Sequence, residues 1–131
     1  MPASLPTLTT LLTALALTPA DDRQGHFEIL GLGNRTCAQY LIVRNPTPYD
    51  TGGEPDRDYL AWMHGYLTAF NKWVDNTYSI RSTLGVADLR TWVVQYCQQH
   101  PAVRFQEAID AFTISHFRER QPAEQQRPPK P

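Results

Sequence analysis

An all-α fold is predicted for this chain, in the form of a small four-helix orthogonal bundle, and three observations predict it. Apolar residues recur every three or four positions across 59–75, 86–99 and 105–112, as one buried face of a helix requires. Proline and glycine gather between those stretches. The two cysteines of the 131-residue chain, Cys37 and Cys97, each fall inside a helix-patterned stretch. Joined, they would staple the bundle by closing a loop of about 61 residues, with a chain-entropy stabilisation on the order of 4 kcal/mol. A chain of this length supports one domain, expected over residues 26–117.

The elements follow in order. Leu5 to Ala20 carries no charge, and Thr18-Pro19-Ala20 before Asp21-Asp22 resembles a small-residue cleavage site. Residues 1–20 are therefore expected to be a signal peptide, or an N-terminal arm, since no Lys or Arg precedes the apolar run. The run is too short and too rich in threonine for a stable membrane span. His26 to Gly33 reads as an extended lead-in that lays Phe27, Ile29 and Leu32 on the core. Thr36 and Gln39 have the spacing of a capping box, so a first helix starts there and runs to about Arg44, with Cys37, Tyr40 and Leu41 inward. Asn45-Pro46 stops it, and the three prolines and Gly-Gly pair of 46–55 form an irregular connection.

A second helix begins with Asp56 and Asp58 in its first turn, where carboxylates favour the free N–H groups and the positive dipole end. It continues from Tyr59 to about Asp75 and presents Tyr59, Met63, Tyr66, Leu67, Phe70 and Val74 on one broad face. Trp62 and Trp73 lie at the edge of that face, and His64, Thr68, Asn71 and Asp75 on the polar side. Ala61, Gly65 and Ala69, four residues apart, leave a shallow groove for the close approach of another backbone. A third helix, about Val86 to Gln99, aligns Val86, Leu89, Val93, Tyr96 and Cys97. His100-Pro101 ends it and is expected to open a fourth, because proline suits a first helical position. Phe105, Ala108, Ile109 and Phe112 give that helix its buried stripe. Residues 118–131, composed of Arg, Glu, Gln and Pro, are expected to form a disordered tail.

Charge excludes some functions. The net charge of −1 leaves no basic field for nucleic acid or an anionic membrane. The last fourteen residues carry +2 and the remainder −3, which suits a solvated tail. Three states are open to the cysteines. A structural disulfide fits an oxidising compartment, reduced buried thiols fit a cytosolic one, and a zinc site would use Cys97 with His100 and a histidine from His26, His64 or His116. No second close-spaced ligand pair completes the zinc option.

Catalytic patterns are missing. No nucleophile sits with a base, and Gly31-Leu32-Gly33 is only a fragment of a phosphate-binding loop, with Cys37 following and no strand–helix unit around it. The carboxylates Glu54, Asp56 and Asp58 would hold a cation weakly, and helix-start electrostatics explains them better. The expectation is a protein with no enzymatic activity, no cofactor and no metal. His64, on the polar side of the second helix, reads either as an imidazole that titrates as the solution turns acidic or as a plain exposed histidine. Trp62 and Trp73, at the border of the buried stripe, are candidates for protein recognition with His64 and Asn71, because aromatic anchors give large contact area at small entropic cost. Trp92 is assigned to packing.

The order Asn34-Arg35-Thr36-Cys37-Ala38-Gln39-Tyr40-Leu41, then Tyr59 to Asn71, then Leu89 to Pro101 resembles the HdeA/HdeB-like small exported helical proteins. It is also similar to the Tai-type immunity proteins of type VI secretion. The resemblance spans about Gly33 to Phe112. It implies a periplasmic helical domain in which Cys37 and Cys97 match the family disulfide, and it aligns Trp62, Gly65 and Asn71 with a W-x-x-G-x-x-x-x-x-N pattern. No catalytic residue comes with it. This chain departs from the lysine-rich HdeA type, with only Lys72 and Lys130, and adds a proline-rich tail.

The functional expectation is a non-catalytic, periplasmic or secreted protein-binding domain of the acid-stress, chaperone-like kind, with unfolded proteins as clients. The alternative is an immunity-type inhibitor that binds and neutralises a secreted toxin. A homodimer through exposed tryptophans is the assembly to test.

Overall fold

The computed structural model describes Pro2, residues 27–44 and residues 55–123. Four helices make up the domain: α1 Cys37–Arg44, α2 Arg57–Trp73, α3 Val86–Gln99 and α4 Phe105–His116. Among the described residues there is no strand, only two isolated antiparallel bridges, Thr36 with Arg104 and Ser79 with Gln121. The expected export segment, His26, Glu54, most of the connection 46–55, and 124–131 lie outside the described residues.

The start of α1 follows its local chemistry. The Thr36 N–H donates to Gln39 Oε1 at 2.9 Å, and the Gln39 N–H donates to Thr36 Oγ1 at 3.2 Å, the reciprocal pair expected from the sequence. The Cys37 and Ala38 N–H groups, also free of helical partners, donate to the carbonyls of Val103 and Pro101 at 2.8 and 2.9 Å. In the other direction the Phe105 N–H donates to Arg35 O at 2.7 Å. Those contacts correct the expected opening of the fourth helix at Pro101. The carbonyls that would begin it are turned toward α1, so 101–104 stays a turn and α4 begins at Phe105. Glu107 then accepts from the Arg104 N–H, as Asp88 accepts from the Gly85 N–H at the head of α3.

The core sits where the four helices converge. Tyr59, Met63 and Leu67 of α2 face inward, with Leu89, Val93 and Cys97 of α3 and Phe105, Ala108, Ile109 and Phe112 of α4. Tyr40, Tyr59 and Phe105 form a buried aromatic triangle with centroids 4.8 to 5.1 Å apart. Trp92 packs, stacked on Tyr96 and edge-on to Phe112. A disulfide joins Cys37 of α1 to Cys97 of α3, both fully buried. With a sequence separation of 60, its entropic contribution is about 4 kcal/mol.

Two further boundaries differ from expectation. The lead-in contains a 3-10 turn at Gly31–Asn34, and Phe27 is 47% exposed instead of buried, lying beside Phe70 and Phe117 on a surface cleft rather than in the core. At the other end the chain stays within the fold past residue 117. Phe117–Glu119 forms a 3-10 turn, the Gln121 N–H donates to Ser79 O at 2.8 Å, and Gln121 O accepts from the Tyr78 and Ser79 N–H groups. Arg120 Nε donates to Thr77 Oγ1 at 3.0 Å. Residues 118–123 are therefore part of the fold rather than of a disordered tail; their backbone is paired despite a composition that buries little.

Candidate functional site

Between α2 and α4 lies a cleft of about 800 Å³. Its walls are Phe70 of α2 and Val74 just after it, Ile114 and Phe117 from the end of α4 and the turn after it, and Phe27 from the lead-in. Ile114 is 77% exposed, so the cleft presents apolar surface to solvent. Its inner end is polar: the Tyr66 hydroxyl donates to one carboxylate oxygen of Asp110, and the Gln106 amide donates to the other. Burial, reinforced by that carboxylate, pushes the Tyr66 phenol well above its usual range. The Thr113 hydroxyl donates to Asp110 O at 2.8 Å.

A second polar cluster lies where α1, α2 and α3 meet. Asp56, only 1% exposed, takes a bidentate contact from Arg90, Nε to Oδ2 and Nη2 to Oδ1 at 3.0 Å each. Arg44 Nε lies 3.6 Å from Oδ2, and the Tyr40 hydroxyl 3.5 Å from it. Burial and the Asp56 charge raise the Tyr40 phenol. Asp56 occupies the cap position of α2 but makes no side-chain cap bond. Its carboxylate serves the arginines, not the helix start.

The four candidate recognition residues occupy different environments. Trp62 is half-buried, stacked on Tyr66 at 5.5 Å, and its Nε1–H donates to Leu30 O at 2.9 Å. Asn71 is also half-buried, and its Oδ1 accepts from the Ile80 N–H at 2.8 Å, pinning the loop after α2. Trp73 is 76% exposed, with Lys72 Nζ 4.9 Å from its ring centroid. His64 is exposed; partial burial of its ring, then the Arg81 and Arg90 charges, hold its imidazole below the usual value. No hydrogen bond or ring contact among the described residues joins any two of the four. The small-residue groove is open, since Ala61, Gly65 and Ala69 are exposed and a Cβ at Gly65 would meet nothing within 4 Å.

The cleft and the Asp56 cluster were not anticipated from sequence. Ile114 stands off the buried stripe of α4, which was the one local signal for an outward apolar wall. Among the described residues no group of three or more His, Cys, Asp or Glu could hold a metal ion, and no helix is long and apolar enough to cross a membrane. Comparison with protein families, curated proteins and solved structures finds no match to this chain.

Proposed function

We propose that this chain is a non-catalytic protein-binding domain of an oxidising compartment, periplasmic or secreted, built as an orthogonal bundle. Within that class it acts as an acid-stress, chaperone-like protein of the HdeA/HdeB-like kind. One observation carries the reading: α2 is held to its neighbours by two carboxylates. Asp56 ties its start to Arg90 of α3 and Arg44 of α1, and Asp110 of α4 takes the Tyr66 hydroxyl midway along it. Strong acid, in which carboxylates in general protonate, is the condition under which both ties are proposed to weaken. The Cys37–Cys97 bond keeps α1 and α3 joined while α2 loosens, so the face of Phe105 that Tyr59 and Trp62 of α2 cover becomes available to unfolded clients. The disulfide supports an oxidising compartment, and the apolar run of 5–20 supports export.

The test is aggregation of an acid-denatured client at about pH 2–3, where carboxylates protonate, and again at neutral pH. Suppression is expected only in acid, and Asp110→Asn is expected to move its onset toward neutral pH. Equal behaviour at both pH values, or none at either, defeats the proposal. Trp73, exposed beside Lys72 at the end of α2, favours the second reading, an immunity-type inhibitor that docks rigidly on one toxin. Pull-down of a single stoichiometric partner at neutral pH, abolished by Trp73→Ala, would decide for it.

A further inference from the structure

We propose that the α2–α4 cleft binds a free amphipathic anion, a single acyl chain ending in a carboxylate. About 800 Å³ lies within the range of about 300–1,000 Å³ typical of small-molecule sites. The walls supplied by Phe70, Val74, Ile114, Phe117 and Phe27 match an alkyl chain and offer it no hydrogen bond from a side chain.

The polar groups around the cleft decide the sign of the head group. Asp110 is engaged at both carboxylate oxygens by Tyr66 and Gln106, and the Thr113 hydroxyl is turned to the backbone. Arg120, one turn away from the wall, is committed to Thr77 Oγ1 and Phe117 O and lies over the Phe117 ring at 3.9 Å. Arg118 differs: it lines the cleft, it is exposed, and it makes no ion pair or side-chain hydrogen bond with any described residue. An apolar trough in which the uncommitted polar side chain, among the described lining residues, is a guanidinium is complementary to a carboxylate on a hydrocarbon chain. A cationic amphiphile would find the one carboxylate among the described lining residues, Asp110, already bonded.

The inference is independent of acid-stress activity, because the probe is monomeric laurate at neutral pH, below its micelle concentration. Calorimetric titration of the oxidised full chain is expected to show one saturable site. Dodecyltrimethylammonium is expected to bind at least about tenfold more weakly, and Arg118→Glu to weaken laurate by about tenfold, the loss of one charge-assisted contact. Ile114→Asp, at an exposed position that leaves the core intact, is expected to remove saturable binding while the helical circular dichroism is unchanged. Absence of a saturable laurate site overturns the proposal. So does equal affinity for the cationic amphiphile, or an Arg118→Glu variant that binds laurate unchanged. Binding to anionic phosphatidylglycerol vesicles without binding of monomeric laurate also overturns it, in favour of a lipid surface.

Discussion

Trp62 is fixed by a backbone carbonyl, by a stacked tyrosine, and by the missing side chain of Gly33. A Cβ at Gly33 would collide with the Trp62 six-membered ring, so this glycine is required by close approach. Gly33→Ala is expected to cost about 1–3 kcal/mol through overpacking, read as a lower urea midpoint with unchanged slope. Asp56 is the other residue on which much rests, since it lies buried between two arginines. Asp56→Ala leaves Arg90 without its bidentate partner and is expected to cost about 3–5 kcal/mol, whereas Asp56→Leu with Arg90→Met is expected to recover most of the loss. Tyr40 and Tyr66 set the alkaline limit. Their phenols titrate higher in the folded chain than in the unfolded one, so the unfolded state releases protons first. Stability from these groups is full below about pH 10 and falls as pH rises beyond it. Tyr40→Phe and Tyr66→Phe are expected to flatten that decline in urea midpoints measured from pH 8 to pH 11.

At the scale of elements, α2 carries no covalent tie of its own, and its far end depends on the chain after α4. Asn71 holds Ile80, and Gln121 pairs with Ser79, so the loop after α2 is clasped from both sides. A chain ending at Ala123 keeps the Gln121 pairing and the Arg120–Thr77 bond and is the reference for a shorter one. One ending at His116 loses the Gln121 pairing, the Arg120–Thr77 bond and the Phe117 contact with Phe70 at 6.4 Å, and its thermal midpoint is expected to fall by several degrees, for about 1 kcal/mol per lost bond. These elements also mark what could be read in advance. The α1 cap and the α3 stripe were legible because three or four neighbouring residues determine each. The start of α4 and the end of the fold were not. Val103 meets Cys37, and Gln121 meets Ser79, through backbone groups that every residue shares, so no side-chain pattern announces them. The cleft was hidden for a related reason: Phe27 was expected to lie on the core, and Phe117 flanks the cleft from the last position of the expected domain, beyond the buried stripe of its fourth helix.

For the whole molecule, the helical class and the inward cysteines were legible from periodicity, because burial of one helix face imposes it. The Asp56–Arg90 tie, between residues 34 positions apart, was not, since either charge alone reads as surface. The Cys37–Cys97 bond has a further consequence. It closes a ring between residues 60 positions apart, with the whole of α2 inside it, that tension on the termini cannot open. Stretched by its ends in an optical trap, the oxidised molecule is expected to reach a contour length of about 250 Å, against about 460 Å after thiol reduction. Force on the termini would therefore bypass α2 for as long as the bond between the sulfurs holds.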